Sequence, residues 1–183
     1  EQKQKDEDRA IEESINLLLQ KQKNIHFNIV VIGPILSGKT PLIHQFTKGN
    51  FTDNNFATPL PILYSKLYKK CNIDIWDTSG NEDCHSSFSL LHNLDAVLFV
   101  CSYDKGNSLI DFTNVWRKII NKYFSSIPIF LIINKSDLDS SEKELSDDDI
   151  EKLKSDPLFK DSFIVSAKNH EQVVNLFDSV IKK

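Results

Sequence analysis

Two hydrophobic periods alternate along this chain. Phe27 to Ile32 is an almost unbroken apolar run rich in β-branched residues, the pattern of a strand buried on both faces. Leu42, Ile43 and Phe46 then recur at helical spacing. Ile73-Asp74-Ile75-Trp76 reads as a second strand and Ala96 to Val100 as a third, whose continuous apolarity predicts burial on both faces. Leu109 to Phe124 predicts a helix with Phe112, Val115, Trp116 and Ile119 on one side. Ile127 to Ile133 predicts another buried strand. Ser146 followed by Asp147, Asp148 and Asp149 marks a capped helix start with acids in its first turn. Phe163 to Val165 predicts a short strand, and Glu171 to Ile181 a closing helix. Such alternation predicts an α/β fold with a mostly parallel sheet.

Ahead of this pattern, Glu1 to Lys23 is charged and helix-prone, with Ile11, Ile15, Leu18 and Leu19 in one stripe. We therefore divide the chain into an N-terminal amphipathic helix at 1–24 and one domain at 25–183. The helix's polar face mixes both signs and includes Glu12 and Glu13. That favours docking on this domain or on a partner over lying on a membrane. The stripe is too short to sustain a coiled coil alone.

Composition narrows the function classes. The 183 residues are 40% hydrophobic and 26% charged, which suits one globular domain with a real core. A net charge of −4 argues against nucleic acid as a partner. No apolar run reaches transmembrane length. Cys71, Cys84 and Cys101 are odd in number and scattered, as expected of reduced thiols in a cytosolic-type compartment. The chain starts at Glu1 and lacks methionine, so residues of a longer protein are expected to be missing; membrane association would have to come through such ends.

Candidate chemistry begins at Gly33-Pro34-Ile35-Leu36-Ser37-Gly38-Lys39-Thr40, a G-x-x-x-x-G-K-[ST] string between a predicted strand and a predicted helix. Gly33 and Gly38 allow the backbone to curl, with Ser37 between them, so that successive N–H groups point at an anion. The helix N-terminus adds partial positive charge. Lys39 would reach β- and γ-phosphates, and the Thr40 hydroxyl would ligate Mg²⁺.

Further motifs each follow a strand, where ligands of open α/β sheets bind. Asp77-Thr78-Ser79-Gly80-Asn81-Glu82 offers a carboxylate for Mg²⁺ and a glycine N–H for a γ-phosphate. Asn134-Lys135-Ser136-Asp137 offers a carboxylate that can accept two hydrogen bonds from guanine; adenine lacks that donor pair. The Lys135 stem can cover one face of the base. Ser166-Ala167-Lys168 offers backbone to the guanine carbonyl. Thr58, in the loop Phe51 to Pro61, is a candidate to close over Mg²⁺ and the γ-phosphate.

The ordered set resembles the small GTPases of the Ras superfamily, from about His26 to Lys183. Its Trp76-Asp77-Thr78-Ser79-Gly80-Asn81-Glu82 form looks closest to Rab-like members. The resemblance implies a P-loop GTPase fold, a six-stranded mixed sheet flanked by helices on both faces. It implies a GTP/GDP switch with Mg²⁺ that controls a protein effector through its switch loops. Phe51 matches the aromatic packed against guanine, and Thr58 the switch I threonine. Asp77 with Gly80 matches the start of switch II. Asn134, Lys135, Asp137, Ser166, Ala167 and Lys168 match the base-recognition residues.

Four departures qualify that expectation. Ile35 stands where the family usually has a small residue beside the γ-phosphate, crowding an attacking water. Asn81 stands where most members place a glutamine that orients that water, and is one methylene shorter. Phosphoryl transfer depends on positioning, so Lys39, Thr58, Gly80 and Asn81 form a catalytic set predicted to hydrolyse slowly or not at all. Pro41 has no N–H for the α-phosphate, a loss of about 1.5–3 kcal/mol. Pro59 and Pro61 predict a stiffened switch I. Two other functions compete: a catalytically inactive GTPase-fold subunit of a larger assembly, and an ATP-using phosphate-loop enzyme, which Asn134-Lys135-Ser136-Asp137 opposes.

Overall fold

The computed structural model describes residues 25–53, 58 and 60–182; of Ile25 and of 82–85 it describes the backbone alone. The predicted helix at 1–24 and Pro59 lie outside the described residues. Six strands form one sheet: β1 (Ile25–Ile32), β2 (Ile62–Tyr68), β3 (Cys71–Asp77), β4 (Ala96–Ser102), β5 (Ile129–Asn134) and β6 (Asp161–Ile164). Their spatial order is β2-β3-β1-β4-β5-β6, with β2–β3 antiparallel and every other pair parallel. Between them run α1 (Lys39–Lys48), α2 (Ser108–Asp111), α3 (Arg117–Tyr123), α4 (Asp147–Lys154) and α5 (His170–Ile181).

The apolar runs are continuous because the sheet is covered on both sides. Ile29, Val31, Leu98, Val100, Phe130 and Ile132 face α1 and α5, where they meet Leu42, Ile43, Phe46, Val173 and Phe177. Val30, Ile32, Val97, Phe99, Leu131 and Ile133 face the opposite layer, with Phe112, Trp116, Ile120, Ile150 and Leu153. Successive residues of β1, β4 and β5 thus serve different cores, so neither face can be polar. Phe46 of α1 stacks on Phe177 of α5 at 4.0 Å, joining the helices of one layer.

Several boundaries shift for physical reasons. Pro128 has no N–H, so the ladder of β5 begins at Ile129, two residues after the predicted start; the Pro128 carbonyl still accepts from the Val97 N–H at 3.0 Å. The predicted helix at 109–124 contains a wide π turn at Phe112–Trp116 between α2 and α3. Phe112 and Trp116 flank Phe99, with ring centroids 5.3 and 5.8 Å away. The predicted cap on α4 is present: the Ser146 hydroxyl accepts from the Asp149 N–H at 3.2 Å. The local pattern missed β2, although the family resemblance implied a six-stranded mixed sheet. Its Leu63 and Leu67 are exposed while Tyr64, Lys66 and Tyr68 are half-buried, so its apolar residues do not mark its inner face.

The chain leaves β1 toward β3 on one side and returns to β4 on the other. The carboxyl end of β1 is therefore the switch point of the sheet, where ligands of such folds collect. Phe99, fully buried in the middle strand region, anchors one layer. Phe99→Ala is expected to lower unfolding stability by about 3–5 kcal/mol in urea denaturation; a loss under about 1 kcal/mol would contradict the packing described.

Candidate functional site

At the carboxyl end of β1 the chain turns through 33–38 before α1 begins. Gly38 caps the helix in the left-handed region, at φ 89°. A side chain there would put a Cβ 2.2 Å from the Asn134 amide nitrogen, so only glycine fits. Lys39 folds back over the loop and donates to the carbonyls of Gly33 and Pro34, both at 2.9 Å. Burial brings its ammonium down to about 8, against the pull of Asp77. Ser37 is wholly buried beneath the loop, its hydroxyl without a hydrogen-bond partner among the described residues. Pro41 is buried in the first turn of α1, where a missing N–H does not interrupt the helix.

The three predicted metal ligands converge. The Thr40 hydroxyl donates to Asp77 Oδ2 at 2.6 Å, and the Thr58 hydroxyl lies 3.1 Å from that of Thr40 and 3.4 Å from Asp77 Oδ2. Asp77 is fully buried at the end of β3, and its Oδ1 has no partner among the described residues. Burial pushes its carboxyl above the ordinary range, opposed by Thr40, Lys39 and Thr58. Two hydroxyls and a carboxylate with an unsatisfied oxygen form an all-oxygen donor set, which fits a hard divalent cation such as Mg²⁺. Beyond Asp77, Gly80 lies flat on the phosphate loop: a Cβ would sit 2.4 Å from the Ile35 nitrogen. The exposed Asn81 donates its N–H to the Ser79 hydroxyl at 3.2 Å.

The opposite end is built by β5 and the loop after β6. Asn134 ends β5, its amide donating to the Ser37 carbonyl at 3.0 Å and accepting from the Ala167 N–H at 3.0 Å. Asp137 accepts from the Ser166 hydroxyl at 2.5 Å and pairs with Lys168 at 2.8 Å. Burial pushes the Asp137 carboxyl up, but the bonds to Lys168 and Ser166 outweigh it and hold it below the ordinary range. Lys168 also lies 5.9 Å from the Phe51 ring centroid, linking the base loop to the entry of the 51–61 segment.

These ends open onto one cleft of about 300 Å³. Gly38, Lys39, Thr40, Pro41, Phe51 and Thr58 line it together with Gly80, Asn134, Lys135, Asp137, Ser166, Ala167 and Lys168. Gly33, Ser37 and Asp77 lie behind this lining, and Asn81 lies outside it. Leu36, Asp53, Asp104, Lys105 and Leu138 also line the cleft, without having been expected there from the sequence. Asp104 pairs with Lys135 at 2.6 Å. Burial raises its carboxyl, but Lys135, Ser102 and Lys105 together outweigh it and the net shift is downward. The one available signal was its place just past the end of β4.

The fold and the loop geometry together define a P-loop α/β nucleotide-binding domain. A model of the Ras family matches residues 28–183, and the chain belongs to that family. Its relatives include the Rho-related protein racM of Dictyostelium discoideum, 32% identical over 119 residues, which are 62% of this chain and 63% of the relative. The Rho-related GTP-binding protein RhoB of Homo sapiens is 28% identical over 141 residues, 75% of this chain and 71% of that protein. A GTP-binding RHO-like protein of Candida albicans (strain WO-1) is 31% identical over 128 residues, 67% of this chain but only 37% of the relative. The alignments thus span less than two thirds of the Candida and Dictyostelium proteins. Ras-family GTPases bind guanine nucleotide, generally with Mg²⁺, and act on protein effectors.

Asn134→Ala would leave the Ser37 carbonyl and the Ala167 N–H unpaired. Ligand-free protein carrying it is expected to lose about 2–4 kcal/mol in urea unfolding; a loss below about 0.5 kcal/mol would show that the amide does not hold the two loops together.

Proposed function

We propose that this chain is a guanine-nucleotide-binding small GTPase with Mg²⁺-dependent binding, slow or impaired hydrolysis, and a protein partner controlled through its switch loops. The observation that carries this is the single cleft shared by Lys39 and Asp137. Lys39, already aimed across the phosphate loop, would meet the β- and γ-phosphates. Backbone N–H groups at the start of α1 would add partial positive charge. Thr40, Thr58 and Asp77 would hold Mg²⁺, which when bound offsets negative charge on the phosphate oxygens. Asp137 would select guanine, with the Lys135 stem and Phe51 covering the base and Ser166 orienting the carboxylate.

Base choice is testable directly. GTP is expected to displace a fluorescent guanine nucleotide while ATP does not. Asp137→Asn is expected to shift preference toward xanthine nucleotides by tenfold or more, since a carboxylate and an amide demand opposite hydrogens from the base. Unchanged preference in that variant would remove the assigned role.

Chemistry is the weaker half of the site. Ile35, 42% exposed at the cleft, places a β-branched side chain beside the path of an attacking water. Asn81 turns its N–H back to Ser79, with a side chain one methylene short of glutamine. Hydrolysis depends on positioning, so both changes slow it. We expect Ile35→Gly with Asn81→Gln to hydrolyse GTP at least tenfold faster than the native chain in single-turnover assays. Equal rates would end the case for a deficiency at these positions. The alternative, a catalytically inactive GTPase-fold subunit of an assembly, draws on the same two residues and on Pro41.

On subtype, the Rab-like form rests on one seven-residue string, Trp76 to Glu82. The Rho-related relatives align over 119 and 141 residues, and we therefore propose the Rho side as the nearer kinship. Effector contact through the 51–61 segment and the predicted N-terminal helix, in a reducing intracellular compartment, completes the proposal.

A further inference from the structure

Lys135 lines the cleft with a long side chain that is held at both ends. Its backbone sits in the left-handed region, at φ 62°, a conformation that favours glycine. Neighbouring backbone bonds keep it there. The Leu138 N–H donates to the Lys135 carbonyl at 3.2 Å, the Ser136 N–H to that of Val165 at 3.1 Å, and the Tyr103 N–H to that of Asn134 at 3.1 Å. From this fixed start the stem runs over the turn into α1, with Cε 4.0 Å from the place a Cβ on Gly38 would take. Its ammonium then donates to Asp104 Oδ2 at 2.6 Å.

Asp104 is itself held in place. A turn closed by the Lys105 N–H on the Ser102 carbonyl, at 3.2 Å, carries it past the end of β4. Beside it, the Tyr103 carbonyl accepts from the N–H groups of Glu144 and Leu145, at 2.8 and 3.0 Å. Asp104 Oδ1 is buried, so Oδ2 is the oxygen offered to the lysine.

We propose that Asp104 is a positioning residue for nucleotide binding: by tethering the Lys135 ammonium, it holds the lysine stem where it would cover the guanine base. This rests on the guanine-nucleotide function proposed above. Lysine carries a flexible four-carbon stem, and ordering such a side chain on binding costs entropy. A stem tethered before the ligand arrives avoids most of that cost. The tether also commits the ammonium. Paired with Asp104, its charge contributes little toward phosphates, so Lys135 acts through its carbons and Lys39 remains the cation of the phosphate loop.

The test uses the full chain with Mg²⁺ and fluorescent analogues of GDP and GTP. Asp104→Ala removes the tether, and affinity is expected to fall about fivefold, the upper range for a half-exposed ion pair. The loss should be the same for both analogues, because the stem would meet the base that they share. Lys135→Met keeps an unbranched apolar stem without the ammonium. It should lose as much as Asp104→Ala, with no further loss in the double variant. Asp104→Glu keeps a carboxylate and should retain most of the native affinity. In ligand-free protein, acylation of Lys135, read by peptide mass spectrometry, should quicken in Asp104→Ala. If Asp104→Ala does not fold, Asp104→Asn, which keeps the shape and a weaker neutral bond, should lower affinity about threefold and also quicken acylation. Unchanged affinity, additive losses, a loss that differs between GDP and GTP, no rescue by Asp104→Glu, or unchanged acylation would each overturn the tether. Failure of the native chain to hold either analogue would instead overturn the guanine-nucleotide function, and acylation would still decide whether Asp104 holds the lysine.

Discussion

A single side-chain amide holds the two halves of the cleft in register. The phosphate loop comes from the end of β1, and the base loop from the end of β6, at the far edge of the sheet. Asn134, at the end of β5, donates to Ser37 in the first and accepts from Ala167 in the second. An amide is suited to this because its donor and its acceptor point apart on one rigid plane. Its nitrogen also occupies the space where a Gly38 side chain would be, so the turn into α1 and the brace from β5 require each other. The spacing between the predicted phosphate and base sites follows from sheet geometry and this one residue.

Around that brace the site places charge where water is scarce. Lys39 and Asp77 are both buried, each shifted toward its neutral form, and each is partly compensated by the other. Such an arrangement weakens the fold by itself, since removing two charges from water costs more than their mutual attraction returns unless further bonds complete them. Asp77 Oδ1 and the Ser37 hydroxyl remain without partners among the described residues. A polyanion and a divalent cation would satisfy these groups together. Under the proposed function, a ligand that brings both signs of charge would complete them.

Most of this was legible in the chain, and the reasons for the exceptions are specific. Strands β1, β4 and β5 were readable because burial on both faces forces unbroken apolarity. The strand β2 was not, since its half-buried face carries Tyr64, Lys66 and Tyr68 while leucines face outward. The glycine, lysine and threonine of the phosphate loop were readable because backbone curvature and charge demand those residue types. Asp104 was not, because its role as partner of Lys135 depends on two loops that only the folded sheet brings together. Asn134 was expected at the base; its grip on Ser37 could be seen only in three dimensions.

Under the proposed function, the two positions that would guide water, Ile35 and Asn81, are not the residues that would hold the nucleotide, and that separation would let binding and hydrolysis diverge. The residues suited to hold a nucleotide, from Lys39 through Asn134 to Lys168, interlock through short hydrogen bonds, so a change in one disturbs several others. Neither Ile35, which is exposed at the cleft, nor Asn81, whose N–H donates to Ser79, is part of that brace. The atoms nearest a Cβ built on Gly80 are backbone atoms of Pro34 and Ile35. Asn81 is exposed beyond the cleft lining. Under the proposed function, catalytic positions of this kind could drift while affinity persists, because they lie outside the hydrogen bonds that join the two loops. A chain that keeps the brace, the oxygen donor set and the base carboxylate, yet departs at the two positions that would guide water, follows from that asymmetry.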